Sequence, residues 1–170
     1  MEIDLSNKKN RLRVRKYYAK EYMSLQFEIA TPAHTLPILA MQEKFYAIDQ
    51  YPFDVSKAEP VLQHFLSSPE LGKIWLLRLQ EITIGYLALT FCYSFEFGGR
   101  IAFLDELFIE EDFRQQGFGS QALTYIITEA KNLNLRVLHL EAERHNKAGK
   151  ALYHKFGFKD HDRHLLTKSI

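Results

Sequence analysis

The chain predicts a mixed α/β domain in which helices cover both faces of a central sheet. Three features of the 170 residues carry this prediction. Segments run in the order strand, two helices, three-strand meander, helix, strand, helix, strand. A strand late in that order is apolar on both parities, which marks it as central and covered from both sides. The later helical segments each show one apolar stripe.

Ser24 to Ala30 is the first strand, with Leu25, Phe27 and Ile29 at period two. Thr31-Pro32 reads as a cap followed by proline at the first helical position, opening a helix that runs to about Ala47. Pro37 must sit early in that helix or kink it. Tyr51-Pro52-Phe53 breaks the chain, and a second helix starts after Ser56 and runs to the stop at Ser67-Ser68-Pro69. The meander comprises Ile74 to Leu79, Ile82 to Phe95 and Ile101 to Ile109. Gln80-Glu81 makes its first turn and Gly98-Gly99 a tight second one. Gly117 to Leu133 is a helix with Leu123, Ile126, Ile127 and Ala130 on one stripe, and Leu135 to Glu141 is a further strand. Asn146 caps a last helix carrying Ala148, Leu152 and Phe156, with Gly157 in the left-handed position that ends it. Leu165 to Lys168 is expected as a final short strand.

Composition narrows the function. Hydrophobic residues make up 46% and charged residues 25%, with thirteen Phe and nine Tyr to fill a core. No apolar run nears the ~20 residues of a membrane span, and Met1-Glu2-Ile3-Asp4 lacks a signal-peptide profile. The lone Cys92 excludes an internal disulfide and any cysteine-based metal cluster, so a reducing cytoplasm is the expected location. His139, His145, His154, His161 and His164 are too irregularly spaced for a metal site. Net charge is +1, so no nucleic-acid partner is expected. Lys8, Lys9, Arg11, Arg13, Arg15, Lys16 and Lys20 nevertheless form a basic run without an acid. We read residues 1–22 as a solvated basic leader and 23–170 as one domain.

The strand ending at Ile109 feeds Arg114-Gln115-Gln116-Gly117-Phe118-Gly119 and then a helix. Gly117 and Gly119 allow positive φ and close approach of a ligand to the backbone. Successive N–H groups at the positive end of a helix dipole then suit a pyrophosphate, and Arg114 can add charge-assisted contacts. Two glycines before a helix are also an ordinary turn. The dinucleotide fingerprint and the Gly-Lys-Ser/Thr of a nucleotide triphosphate loop are both absent.

Arg-x-x-Gly-x-Gly after a strand resembles the coenzyme A pyrophosphate loop of the GNAT superfamily of N-acetyltransferases. Asn146 to Phe158, with Ala148, Ala151, Tyr153 and Gly157, resembles that family's second signature. The resemblance extends from Ser24 to the end and implies a mixed, mostly antiparallel sheet of about six to seven strands. It also implies acetyl-coenzyme A as co-substrate, with no metal. The cofactor would meet the strand-end backbone at Leu107, Phe108 and Ile109, the loop residues Arg114, Gln115, Gln116, Gly117, Phe118, Gly119 and Ser120, and Asn146. In the same family Tyr153 would protonate the departing thiolate. Seven helical steps also return Tyr153 to the face of Asn146. A plain N-cap and a boundary tyrosine are the alternative readings of these two.

Acetyl transfer needs a neutral amine. A nitrogen of pKa ~10.4 costs about 4.6 kcal/mol to deprotonate at pH 7, whereas an α-amine near ~8 costs about 1.4. That magnitude calls for a carboxylate or a base-linked water. Asp105 and Glu106 interrupt the central strand, and local resemblance to polyamine-type family members points to them. We read Glu106 as base or amine anchor and Asp105 as its partner, with a buried structural carboxylate as the alternative. A regular strand would aim only one at the cleft unless a bulge re-aims them. Glu141 and Glu143, alternating on one strand face, are weaker candidates for a cationic acceptor, and Phe45 to Phe53 offers an aromatic wall with cation–π capacity. Cys92 would matter only for an acetyl-cysteine intermediate. A packed strand cysteine and direct attack by the amine are the readings adopted.

The expected activity is therefore acetyl transfer to a primary amine of a small cationic molecule. Acetylation of a protein or peptide amine, and a non-catalytic coenzyme A-binding sensor, are the alternatives. The expected partner is a small-molecule amine, with no membrane; a homodimer is left open.

Overall fold

The computed structural model describes residues 24–170. The basic run of the leader lies outside the described residues. Five strands form one sheet in sequence order: β1 (Gln26–Ile29), β2 (Gly72–Leu79), β3 (Ile82–Ser94), β4 (Gly99–Ile109) and β5 (Leu138–Leu140). The first four are antiparallel neighbours, whereas β5 runs parallel to β4, because the long crossover between them contains a helix.

Helices α1 (Thr35–Ile48) and α2 (Val55–Leu66) cover one face, and α3 (Phe118–Asn132) and α4 (Lys147–Lys155) the other. Thr31 precedes a single 3₁₀ turn at Pro32–His34, where its N–H donates to His34 Nδ1 at 3.0 Å. Pro37 falls in the first turn of α1, where its missing N–H costs nothing. The cap of α2 is Asp54, whose Oδ1 accepts from Ser56 N at 3.0 Å, so the helix begins before Ser56. Pro60 lies inside α2, an interior proline that sequence signals alone would place at a helix end. Two cores result. Trp75, Leu77, Leu87 and Leu89 pack under α3 with Phe118 and Ile126, while Ile74, Leu76, Tyr86 and Phe108 pack under α1 and α2.

The sheet has five strands among the described residues, fewer than the six to seven expected. Leu165 to Lys168 forms no strand. Leu165 and Leu166 are adjacent rather than alternating, and they are 73% and 89% exposed, so this tail offers no single face to bury. The strand expected over Leu135 to Glu141 shrinks to its middle, Leu138–Leu140. The turn after β3 spans residues 95–98, longer than a two-residue turn at Gly98-Gly99.

Candidate active site

Antiparallel pairing aligns Ala88 with Glu106 but Leu89 with Leu104, so Asp105 is an extra residue on β4. This β-bulge switches parity. Before it, Ala102 and Leu104 face the α3 core; beyond it, Leu107 and Ile109 do, while Phe108 faces α1 and α2. The apolar residues on both parities of β4 thus record a bulge as well as a doubly covered strand. Its consequence for chemistry is direct. Asp105 and Glu106, adjacent in sequence, both line one groove of about 720 Å³ between β2–β4 and helices α1 and α2.

Glu106 is 8% exposed. Its Oε2 accepts from the Tyr86 hydroxyl at 2.8 Å and from Gln42 Nε2 at 3.1 Å, and Tyr46 donates toward it as well. Burial pushes the Glu106 carboxyl above the ordinary range, Asp105 adds repulsion, and the three hydrogen-bond donors hold the rise in check. Asp105 opens to solvent through the groove, yet its walls desolvate it enough to raise its carboxyl too. Burial and the Glu106 charge push Tyr46 up to about 12, so it stays a donor at neutral pH. Sequence reading missed Gln42 and Tyr86, and took Tyr46 only as part of an aromatic wall. The only signal was polar residues on otherwise apolar faces of α1 and β3. Of the aromatic segment Phe45 to Phe53, Tyr46 and Phe53 do line the groove, with ring centroids 5.3 Å apart.

At the bulge β4 also parts from β5. The two strands pair only over Ala102–Leu104 and Leu138–Leu140, and among the described residues nothing pairs with that edge of β4 beyond Leu104. Glu110 N donates to Ile84 O at 2.8 Å, so alternation turns the peptide groups of Leu107 and Ile109 toward the gap. Phe108 is placed otherwise than the sequence suggested: its peptide groups lie on the β3 side and its ring is buried under α1.

The gap ends at the glycine loop. Gly117 takes φ 89° as the cap of α3, and Gln115 also takes a left-handed φ of 60°. Gly119 does not have positive φ; it lies inside the helix, where a Cβ would approach Leu152 Cδ2 to 3.0 Å. Its smallness lets α3 and α4 meet. Arg114 Nε donates to Ile109 O at 2.8 Å, which fixes the loop to the strand end. Gln116 Nε2 donates to Asp112 O at 2.7 Å. The Phe118 ring is buried in the core, leaving only its backbone for a ligand, while Ser120 follows in the first turn. Asn146 is an N-cap, its Oδ1 accepting from Gly149 N at 2.8 Å. Tyr153 packs beneath α3 and against Phe158, and burial raises its hydroxyl above the usual value. An extended amide-bearing ligand with a pyrophosphate end fits an open strand edge leading to a helix N-terminus.

Two further expectations fail. Glu141 and Glu143 lie beyond the end of β5 and not on a strand, and Glu143 accepts a short hydrogen bond from the Tyr51 hydroxyl. Cys92 is exposed, in the last part of β3 where burial falls away. Beside the Tyr51 contact, His145 Nε2 lies 2.8 Å from Asp49 Oδ1, so the end of α1 is tied to the loop before α4. Among the described residues no helix is long and apolar enough to cross a membrane.

Residues 38–158 match the model of the acetyltransferase (GNAT) family. No curated protein matches the sequence. Among solved structures, an integron cassette protein from the mobile metagenome of Cole Harbour Salt Marsh is 26% identical, with a TM-score of 0.76 over 85% of this chain and 90% of its own. A possible acetyltransferase from Clostridium difficile 630 is 14% identical, with a TM-score of 0.78 over 86% and 97%. A predicted acetyltransferase with acetyl-CoA from Clostridium acetobutylicum is 18% identical, with a TM-score of 0.72 over 85% and 96%.

Proposed function

The chain belongs to the GNAT acetyltransferase family, and from that premise we propose that it acetylates a primary amine of a small cationic molecule by direct attack, with acetyl-coenzyme A as donor. One observation carries this reading. The bulge at Asp105 sets a buried carboxylate, Glu106, and a partly desolvated one, Asp105, on the groove side of β4 at the point where its other edge opens.

Bound acetyl-coenzyme A would supply the acyl group as an activated thioester. The outward peptide groups of Leu107 and Ile109 would hold its amide-bearing arm. The loop from Arg114 to Ser120 would hold the pyrophosphate, with Gly117 shaping the backbone and α3 supplying its positive end. Asn146 already gives its oxygen to the cap, so its amide nitrogen is the group left for the ligand.

Glu106 anchors the incoming ammonium and then takes its proton. A carboxyl raised by burial is a stronger proton acceptor than an ordinary glutamate, closer in pKa to the amine it must deprotonate. Asp105 keeps the site negative, which favours the cation on entry. Tyr153 is raised and therefore protonated at neutral pH, so it can give its proton to the departing thiolate. Cys92 takes no part: it lies four residues along β3 from Ala88, the partner of Glu106, roughly 13 Å away.

The ties from Asp49 to His145 and from Tyr51 to Glu143 narrow the approach from the α1 side and favour a small acceptor over a peptide. The test is a panel of primary amines, peptides among them, followed by thiol release and by product mass. Acetylation of small amines supports the reading. Acetylation of peptides alone moves the acceptor to protein, and coenzyme A binding without transfer to any amine leaves the sensor.

A further inference from the structure

We propose that the acceptor is a monocationic amine carrying an apolar tail, and that the wall formed by α2 selects it. The inference rests on the acetyl-transfer reading for which end of the molecule reacts. Among the described residues, the acids of the groove that have no ion-pair partner, Asp105 and Glu106, sit together at one end. Asp105 and Glu106 sit beside Ala88, and from there the floor runs along β3 to Thr90, two residues and about 7 Å further. Gly72 pairs with Thr90, and the Phe65 ring lies so close over Gly72 that a Cβ there would fall 2.3 Å from its Cζ. Phe65 therefore closes the far end.

Val61 and Leu62 of α2 complete that end and carry no charge. Among the described residues the remaining charges on the lining are Asp54 and Lys57, an exposed pair 3.7 Å apart that adds no net charge. A second ammonium, as in a diamine or a polyamine, would be driven among apolar side chains without a counter-charge. A methylene chain instead gains from burial at every step. Selection thus lies in what the far end lacks.

The test compares n-propylamine through n-hexylamine with 1,6-diaminohexane. It follows kcat/KM by thiol release, and binding to the coenzyme A-loaded protein by calorimetry. The expected result is a rise of about fourfold in kcat/KM per added methylene, the magnitude of burying one. Hexylamine should exceed the diamine at least tenfold in both measurements. Val61 is 69% exposed, so Val61→Glu should fold, and by placing an acid at the far end it should cut that preference at least tenfold. A flat alkyl series, a diamine that matches hexylamine, or binding of neither overturns the proposal. If no amine is acetylated while hexylamine still binds more tightly than the diamine, the selection stands and the acetyl-transfer reading falls.

Discussion

Glu106 is held at a cost to the fold, and that cost is measurable. Its carboxyl is raised above the unfolded value of ~4.3, so the native state binds more protons between the two values. Its stabilising contribution is therefore full below the unfolded value and is lost as pH rises through the folded one. Glu106→Gln keeps a hydrogen-bond acceptor for Tyr86 but removes the charge. We expect its thermal midpoint to exceed that of the wild type by a margin that grows from about pH 4 and levels off above the folded pKa, as scanning calorimetry across pH would show. A margin that is constant with pH would mean that the carboxylate is not the source. In the wild type the same shift places the acidic limb of kcat/KM above the ordinary glutamate range. Tyr153→Phe should lower kcat by roughly a hundredfold while the coenzyme A dissociation constant stays within about twofold. Unchanged turnover would remove Tyr153 from the mechanism.

At the scale of elements, β4 and the loop that follows it do most of the positioning. Deleting Asp105 should leave the residues beyond it on their present faces, because one bulged residue is what switches the parity. We expect the deletion variant to fold, judged by near-ultraviolet circular dichroism, and to lose transfer, because the acid pair and the bend at the gap go together. Gly117→Ala forces an alanine to φ 89°, a strain of about 1–2 kcal/mol, and should weaken coenzyme A binding by roughly tenfold. Gly119→Ala meets the flexible end of Leu152 at 3.0 Å and Ile109 at ordinary contact distance, and should bind nearly as well as the wild type. The reverse order would put the left-handed cap out of the binding loop. The loop was legible in the sequence because glycine spacing and a following helix are local signals. The bulge was not, since pairing of Ala88 with Glu106 depends on strands that meet only in the fold. Gln115 was named with the loop, but its left-handed backbone was not foreseen, because no glycine announces it.

For the whole molecule, the order of elements from β1 to α4 and the two covered faces could be read from periodicity, whereas the strand expected at the end does not form. What the sequence could not supply was depth. Tyr86 reads as one more β3 aromatic until the fold sets its hydroxyl 2.8 Å from Glu106. The groove likewise exists only because α1 and α2, from one part of the chain, close over strands from another. The tie of Tyr51 to Glu143 spans 92 positions of sequence, and Tyr51→Phe should raise the KM for amine more than it lowers kcat. An equal fall in both kinetic constants would place Tyr51 in the chemistry instead. The central claim is that Glu106 takes the proton of an amine in a coenzyme A-dependent transfer. Its most direct test is kcat for amine acetylation by wild type and Glu106→Gln, with coenzyme A affinity measured alongside. The account predicts acetylation by the wild type, a loss of about a hundredfold or more in the variant, and unchanged coenzyme A affinity. Equal turnover by the two proteins would contradict it.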